Sequence, residues 1–149
     1  MKLKKILWAT DLSKNAAEAL PFVSSLAETY QAEVHVLYVM EQPGHFGAWY
    51  GDFDRSHVEE MQRMEKEKAE KSLDEICQAH LEGCPLYVRH IAIGDAASEI
   101  LKLIGTEKPG VVVMATRGRK GKFEFGSVVE RVVKHSPAPV LTIPAGSVR

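Results

Sequence analysis

The feature that most constrains this chain is a regular alternation of short apolar runs with longer amphipathic stretches. Apolar runs occupy residues 3–10, 33–40, 85–91, 110–115 and 138–143. Several are rich in β-branched residues, as in Glu33-Val-His-Val-Leu-Tyr-Val-Met40, a composition that suits a pleated, largely buried surface. The run Gly110-Val-Val-Val-Met-Ala115 is continuously apolar, as expected of a strand covered on both faces. Strands separated by helical segments specify βαβ units around a parallel sheet. The chain of 149 residues is long enough for one such domain, so residues 1–149 are taken as a single unit. The expected architecture is an α/β, Rossmann-like, doubly wound five-stranded parallel sheet. Helices cover both faces, crossovers are right-handed, and the strand order is 3-2-1-4-5.

The helices are legible from caps and periodicity. Ser13 is a natural N-cap for a helix over residues 13–30, with Ala16, Leu20, Val23, Ala27 and Tyr30 on one face. Pro21 lies within it, and a kink is expected there. A long helix over residues 55–81 turns Val58, Met61, Leu73, Ile76 and Cys77 inward. Gly94-Asp95 leads into a helix whose buried face carries Ala97, Ile100, Leu101 and Ile104. Ser127 opens the last helix, and with Glu130 it matches a Ser-x-x-Glu capping box.

Composition mainly excludes. A formal net charge of −1 provides no general attraction for nucleic acid or an anionic membrane. No apolar stretch approaches spanning length, and Asp11 ends the first one, so a cytoplasmic location is the default expectation. Cys77 and Cys84 form no CxxC pair and read as free thiols. The histidines (His35, His45, His57, His80, His90 and His135) form no HxxxH or HxH pair, so no metal site made by protein groups alone is expected.

One segment carries the functional signal. After the buried strand ending at Met114-Ala115 come Thr116-Arg117-Gly118-Arg119-Lys120-Gly121-Lys122-Phe123-Glu124-Phe125-Gly126-Ser127-Val128. Glycines let the backbone approach anionic oxygens, and a helix N-terminus adds unpaired N–H donors and positive potential. Neither a Walker A motif nor G-x-G-x-x-G is present. In doubly wound sheets the ligand sits beyond the strand C-termini where the strand order reverses. With strand one central, Asp11 and the Gly118 loop form the two lips of one crevice. A carboxylate at Asp11 has a second use as a cap on the following helix.

This segment resembles the signature of the universal stress protein family, Gly-x-x-Gly, nine residues, then Gly-Ser or Gly-Thr. The start Ile6-Leu-Trp-Ala-Thr-Asp-Leu-Ser13, the strand ending Leu37-Tyr38-Val39 and the ending Pro137-Ala-Pro-Val-Leu-Thr-Ile-Pro144 resemble the same family in the same order. The resemblance implies a homodimer through the C-terminal strand, whose few charges suit edge pairing, and an ATP-binding pocket with Mg²⁺. Mapped residue by residue, Thr10 and Asp11 lie near the adenosine and metal-phosphate end, and Val39 at the adenine. Gly118, Gly126, Ser127 and Val128 then hold ribose and phosphates, with Met114, Ala115 and Arg117 as further cofactor-binding candidates. Two departures stand out. Ala115 occupies the first glycine position, and seven residues rather than nine separate Gly118 from Gly126.

The implied function is a dimeric stress-response or regulatory protein that binds an adenine nucleotide. The alternatives are an interaction module of the same fold without nucleotide, and a slow ATP hydrolase. No carboxylate pair, histidine dyad or Ser/His/Asp set surrounds the loop, so no catalytic residue is assigned. The segment 41–54, with Phe46, Trp49, Tyr50 and Phe53, reads either as a lid or as a partner surface.

Overall fold

A computed structural model describes residues 2–40, 55–81, 86–116 and 126–144. The aromatic segment 41–54, Cys84 and most of the glycine-rich loop, including Arg117 and Gly118, lie outside the described residues. The elements are β1 (Lys5–Thr10), α1 (Lys14–Ala17), α2 (Leu20–Tyr30), β2 (Glu33–Met40), α3 (Arg55–His80), β3 (Tyr87–Ile93), α4 (Ala96–Glu107), β4 (Val111–Ala115), α5 (Ser127–His135) and β5 (Val140–Ile143). The strands form one sheet in the order β3-β2-β1-β4-β5, and every pairing is parallel. The architecture is the doubly wound α/β sheet that the sequence alternation implies.

Two apolar layers hold the sheet. Ile6 and Trp8 of β1 and Val34 and Val36 of β2 face Leu20, Val23 and Ala27 of α2 and Leu73 and Cys77 of α3. The alternate side chains, Leu7, Ala9, Leu37, Val112 and Met114, face Ala97, Ile100 and Ile104 of α4 and Val129 and Val132 of α5. Two-sided burial is why β1 and β2 read as nearly unbroken apolar runs. Each fully buried aliphatic side chain contributes about 1.5–3 kcal/mol relative to exposure. Among the described residues, no helix is long and apolar enough to cross a membrane.

Three local expectations are corrected. The first helix does not kink at Pro21. It divides into α1 and α2, and Pro21 lies in the first turn of α2, where a missing N–H costs no intrahelical bond. Tyr30, at the end of α2, is 54% exposed; a helix-terminal tyrosine can keep its hydroxyl in water. Met61 is 66% exposed, and along α3 burial begins at Ala69 and continues at Leu73 and Cys77. Length is the reason. The 26 residues of α3 run about 39 Å. The eight residues of β2 span about 26 Å, so the helix overhangs the sheet.

The turn into α4 follows its sequence. Gly94 takes φ +148°, a value L side chains rarely adopt. Asp95 then caps the helix by accepting the Ser98 N–H at 3.1 Å, and Arg131 of α5 donates to the same carboxylate oxygen at 2.9 Å.

Candidate functional site

Parallel strands deliver all their C-terminal ends to one edge of the sheet. The chain leaves β1 toward α1 on one face and leaves β4 toward α5 on the other, so the strand order reverses between these neighbours. A crevice at this reversal follows from topology.

One lip is the turn after β1. The Leu12 N–H donates to Thr10 Oγ1 at 3.0 Å, and the Ser13 N–H donates to Asp11 Oδ1 at 2.9 Å. Leu12 takes φ 64°, so the two side-chain acceptors brace a backbone conformation uncommon for leucine. Ser13 is the cap of α1, accepting the Ala16 N–H on its hydroxyl at 3.1 Å. Asp11 therefore shapes the turn before the helix with one carboxylate oxygen. Thr10 is buried and Asp11 half-buried at the sheet edge.

The other lip begins where β4 ends. Met114 is buried, Ala115 is half-buried and pairs with Ile143, and the Thr116 N–H donates to the Ile143 carbonyl at 3.0 Å. The Gly126 N–H returns to the Thr116 carbonyl at 3.3 Å, which closes the base of the glycine-rich loop. Gly126, in extended conformation, is the N-cap of α5, with no side-chain cap hydrogen bond. Its carbonyl accepts the Glu130 N–H at 2.9 Å. The capping box read from the sequence does not form, because the N-cap falls one residue earlier, at Gly126. Ser127 is the first helical residue, and Glu130 pairs instead with Lys134 Nζ at 3.0 Å. A glycine cap has no hydroxyl to occupy the first-turn donors, which is the condition for an anion to take them.

Val39 and Val128, both half-buried, pack against the apolar layer that contains Ala9, Met114 and Val129. The fold thereby gathers the ends of β1, β2 and β4 and the start of α5. Thr10, Asp11, Val39, Met114, Ala115, Gly126, Ser127 and Val128 all belong to these segments. This edge of the sheet thus carries apolar side chains, a carboxylate and a helix N-terminus.

The universal stress protein family model matches residues 2–144. The chain belongs to the universal stress protein family. A universal stress protein of Methanocaldococcus jannaschii is 30% identical over 149 aligned positions, covering 94% of this chain and 81% of the relative. One from Thermus aquaticus is 30% identical over 143 positions, covering 94% and 98%. The solved structure of the hypothetical protein MJ0577 superposes with a TM-score of 0.84 at 25% identity, covering 97% of each chain. Universal stress protein structures have also been solved with dAMP, from Archaeoglobus fulgidus, and with AMP, from Arabidopsis thaliana. These superpose with TM-scores of 0.66 and 0.68 at 18% identity, covering 96% and 97% of this chain and 99% and 93% of theirs.

Proposed function

We propose that this universal stress protein binds ATP together with Mg²⁺ in the crevice between the β1 turn and the start of α5, and acts as a dimeric regulatory protein rather than as an enzyme. The observation that carries the reading is the side-chain-free N-cap at Gly126, set across the strand-order reversal from Asp11. First-turn N–H groups of α5 would take phosphate oxygens. Mg²⁺ is commonly held by one or two carboxylates plus substrate phosphates and waters, so Asp11 fits the group without a second acid. Val39 and Met114 offer apolar contact for the base and sugar. Adenine mononucleotides in relatives of the same fold support an adenine ligand here.

Dimerisation through β5 is the second part of the proposal. β5 lies at the end of the sheet order and exposes Leu141, and an apolar edge strand is a template for pairing with a copy of itself.

Ala115 favours a second reading, an interaction module without nucleotide, because its methyl group stands where the family signature has glycine. One experiment separates the two. The purified protein is denatured and the released small molecules are analysed by mass spectrometry, and its melting temperature is measured with and without ATP and Mg²⁺. Released adenine nucleotide, or a ligand-dependent rise in melting temperature, is the expected result. Neither signal at millimolar ligand would establish the module without nucleotide. Turnover of about 1 s⁻¹ or more, within the usual enzyme range, would replace the regulatory reading with a catalytic one.

A further inference from the structure

At the opposite end of the sheet from the crevice, three donor side chains converge from three elements. His35 is the third residue of β2, His90 lies on β3, and Glu107 ends α4. His35 pairs in register with Val88, and Leu37 with His90. The two imidazoles therefore occupy diagonal positions on one face, a spacing that long or aromatic side chains can bridge. His35 Nδ1 lies 2.9 Å from His90 Nε2 and 4.0 Å from Glu107 Oε2. One ligand atom from each residue falls within 4.8 Å of the others.

We propose that His35, His90 and Glu107 form a binding site for a divalent transition-metal ion of the zinc class, with Glu33 orienting His35 from behind. The donor set has the composition of a three-protein-ligand zinc site, two imidazoles and a carboxylate, whose fourth position is left to water. Bonds near 2.0–2.1 Å in a tetrahedron place ligand atoms about 3.3 Å apart. The two nitrogens would separate by about 0.4 Å and the carboxylate oxygen would approach by about 0.7 Å, changes that side-chain torsions can absorb. His35 is 5% exposed and fixed within the sheet, whereas His90 and Glu107 are half-buried and leave a path for the ion.

The surroundings support a metal beyond the three ligands. Glu33 Oε2 lies 3.4 Å from His35 Nε2, the ring nitrogen that would not ligate. A carboxylate in that place fixes the tautomer and orientation of a ligating histidine. Lys5 Nζ pairs with the same Glu107 oxygen at 3.3 Å, so a cation already neutralises this carboxylate. A bound ion would displace Lys5, whose side chain is 37% exposed and reaches water.

The test uses the full chain, stripped with chelator and titrated with Zn²⁺ alone in competition with a chromophoric chelator. One tightly bound ion per chain is expected. His90→Gln and Glu107→Gln should each weaken binding about 100-fold or more, because a ligand is lost, and Glu33→Gln about 10-fold through the orienting contact. Lys5→Met removes the competing cation and should tighten binding, a change that a purely structural histidine pair would not produce. The metal-free melting temperature of each variant reports whether it folds. No binding by the wild-type chain overturns the proposal. So does stoichiometric binding that survives in both folded variants, His90→Gln and Glu107→Gln, which would assign the ion to other groups. Nucleotide release and ATP-dependent melting shifts are read at the other end of the sheet, so failure here leaves the nucleotide reading independently testable.

Discussion

Replacing Asp11 by alanine or by asparagine separates the two tasks that its position suggests. Asp11 Oδ1 accepts the Ser13 N–H at 2.9 Å, and an intramolecular hydrogen bond contributes about 1 kcal/mol net. For a domain of this size, 1 kcal/mol corresponds to about 2–4 °C in melting temperature. Without ligand, Asp11→Ala should therefore melt about 2–4 °C lower than wild type. Asp11→Asn keeps an oxygen in the same place and should melt within about 1 °C of wild type.

Ligand instead separates Asp11→Asn from wild type. ATP with Mg²⁺ at a hundredfold excess over Kd stabilises the wild-type chain by about 2.7 kcal/mol, a rise of about 5–11 °C. A charge-assisted contact worth about 2 kcal/mol corresponds to about 30-fold in affinity. At the same ligand concentration Asp11→Asn would retain only about 0.9 kcal/mol of the stabilisation, or about 2–4 °C. Differential scanning fluorimetry with and without ATP and Mg²⁺ reads both effects. If Asp11→Asn kept the full ligand shift, the role of the charge would be refuted, and a ligand-free loss equal to that of Asp11→Ala would refute the role of the turn.

Asp95→Ala should cost about 1 kcal/mol, chiefly the lost cap, whereas Asp95→Asn should retain most of it. The ion pair with Arg131 is half-exposed and adds at most about 0.5 kcal/mol. The Ser98 hydroxyl, then the Ser98 N–H, hold the Asp95 carboxyl below its ordinary value of 3.8. Its charge-dependent stabilisation is thus fully present above pH 3.8 and is lost as pH falls through the lower folded value. Melts in acid should accordingly show the gap between wild type and Asp95→Ala narrowing in that window, and a constant gap would contradict the assignment. Ile104→Ala, at a position 1% exposed in the layer beneath α4, should cost about 2–5 kcal/mol in urea unfolding. Leu141→Asp should leave the fold intact and shift the protein from dimer to monomer in sedimentation if β5 is the dimer edge, and an unchanged mass would exclude that edge.

Much of the candidate site was legible in the chain because its parts are adjacent in sequence to strand ends. Thr10-Asp11 follows β1, Val39 lies near the end of β2, and Met114-Ala115 ends β4, so recognising the strands located them. Helix starts were less secure. Ser127 with Glu130 satisfies the pattern of a capping box, yet Gly126 is the N-cap, because a one-residue shift in where the backbone leaves extended conformation changes which side chain can cap. Met61 has the periodicity of a buried residue, but periodicity carries no information about where the sheet beneath a helix stops.

The sequence by itself determined the alternation of strands and helices and the two-sided burial of the sheet, since both are written in the local spacing of apolar side chains. Only the tertiary structure decided that His35, His90 and Glu107 meet. No local spacing links them, and their approach depends on the parallel register of β2 with β3 and on the landing of the α4 C-terminus above it. Register and helix placement are outcomes of packing across the whole domain. A cluster built on them becomes visible only once that packing exists.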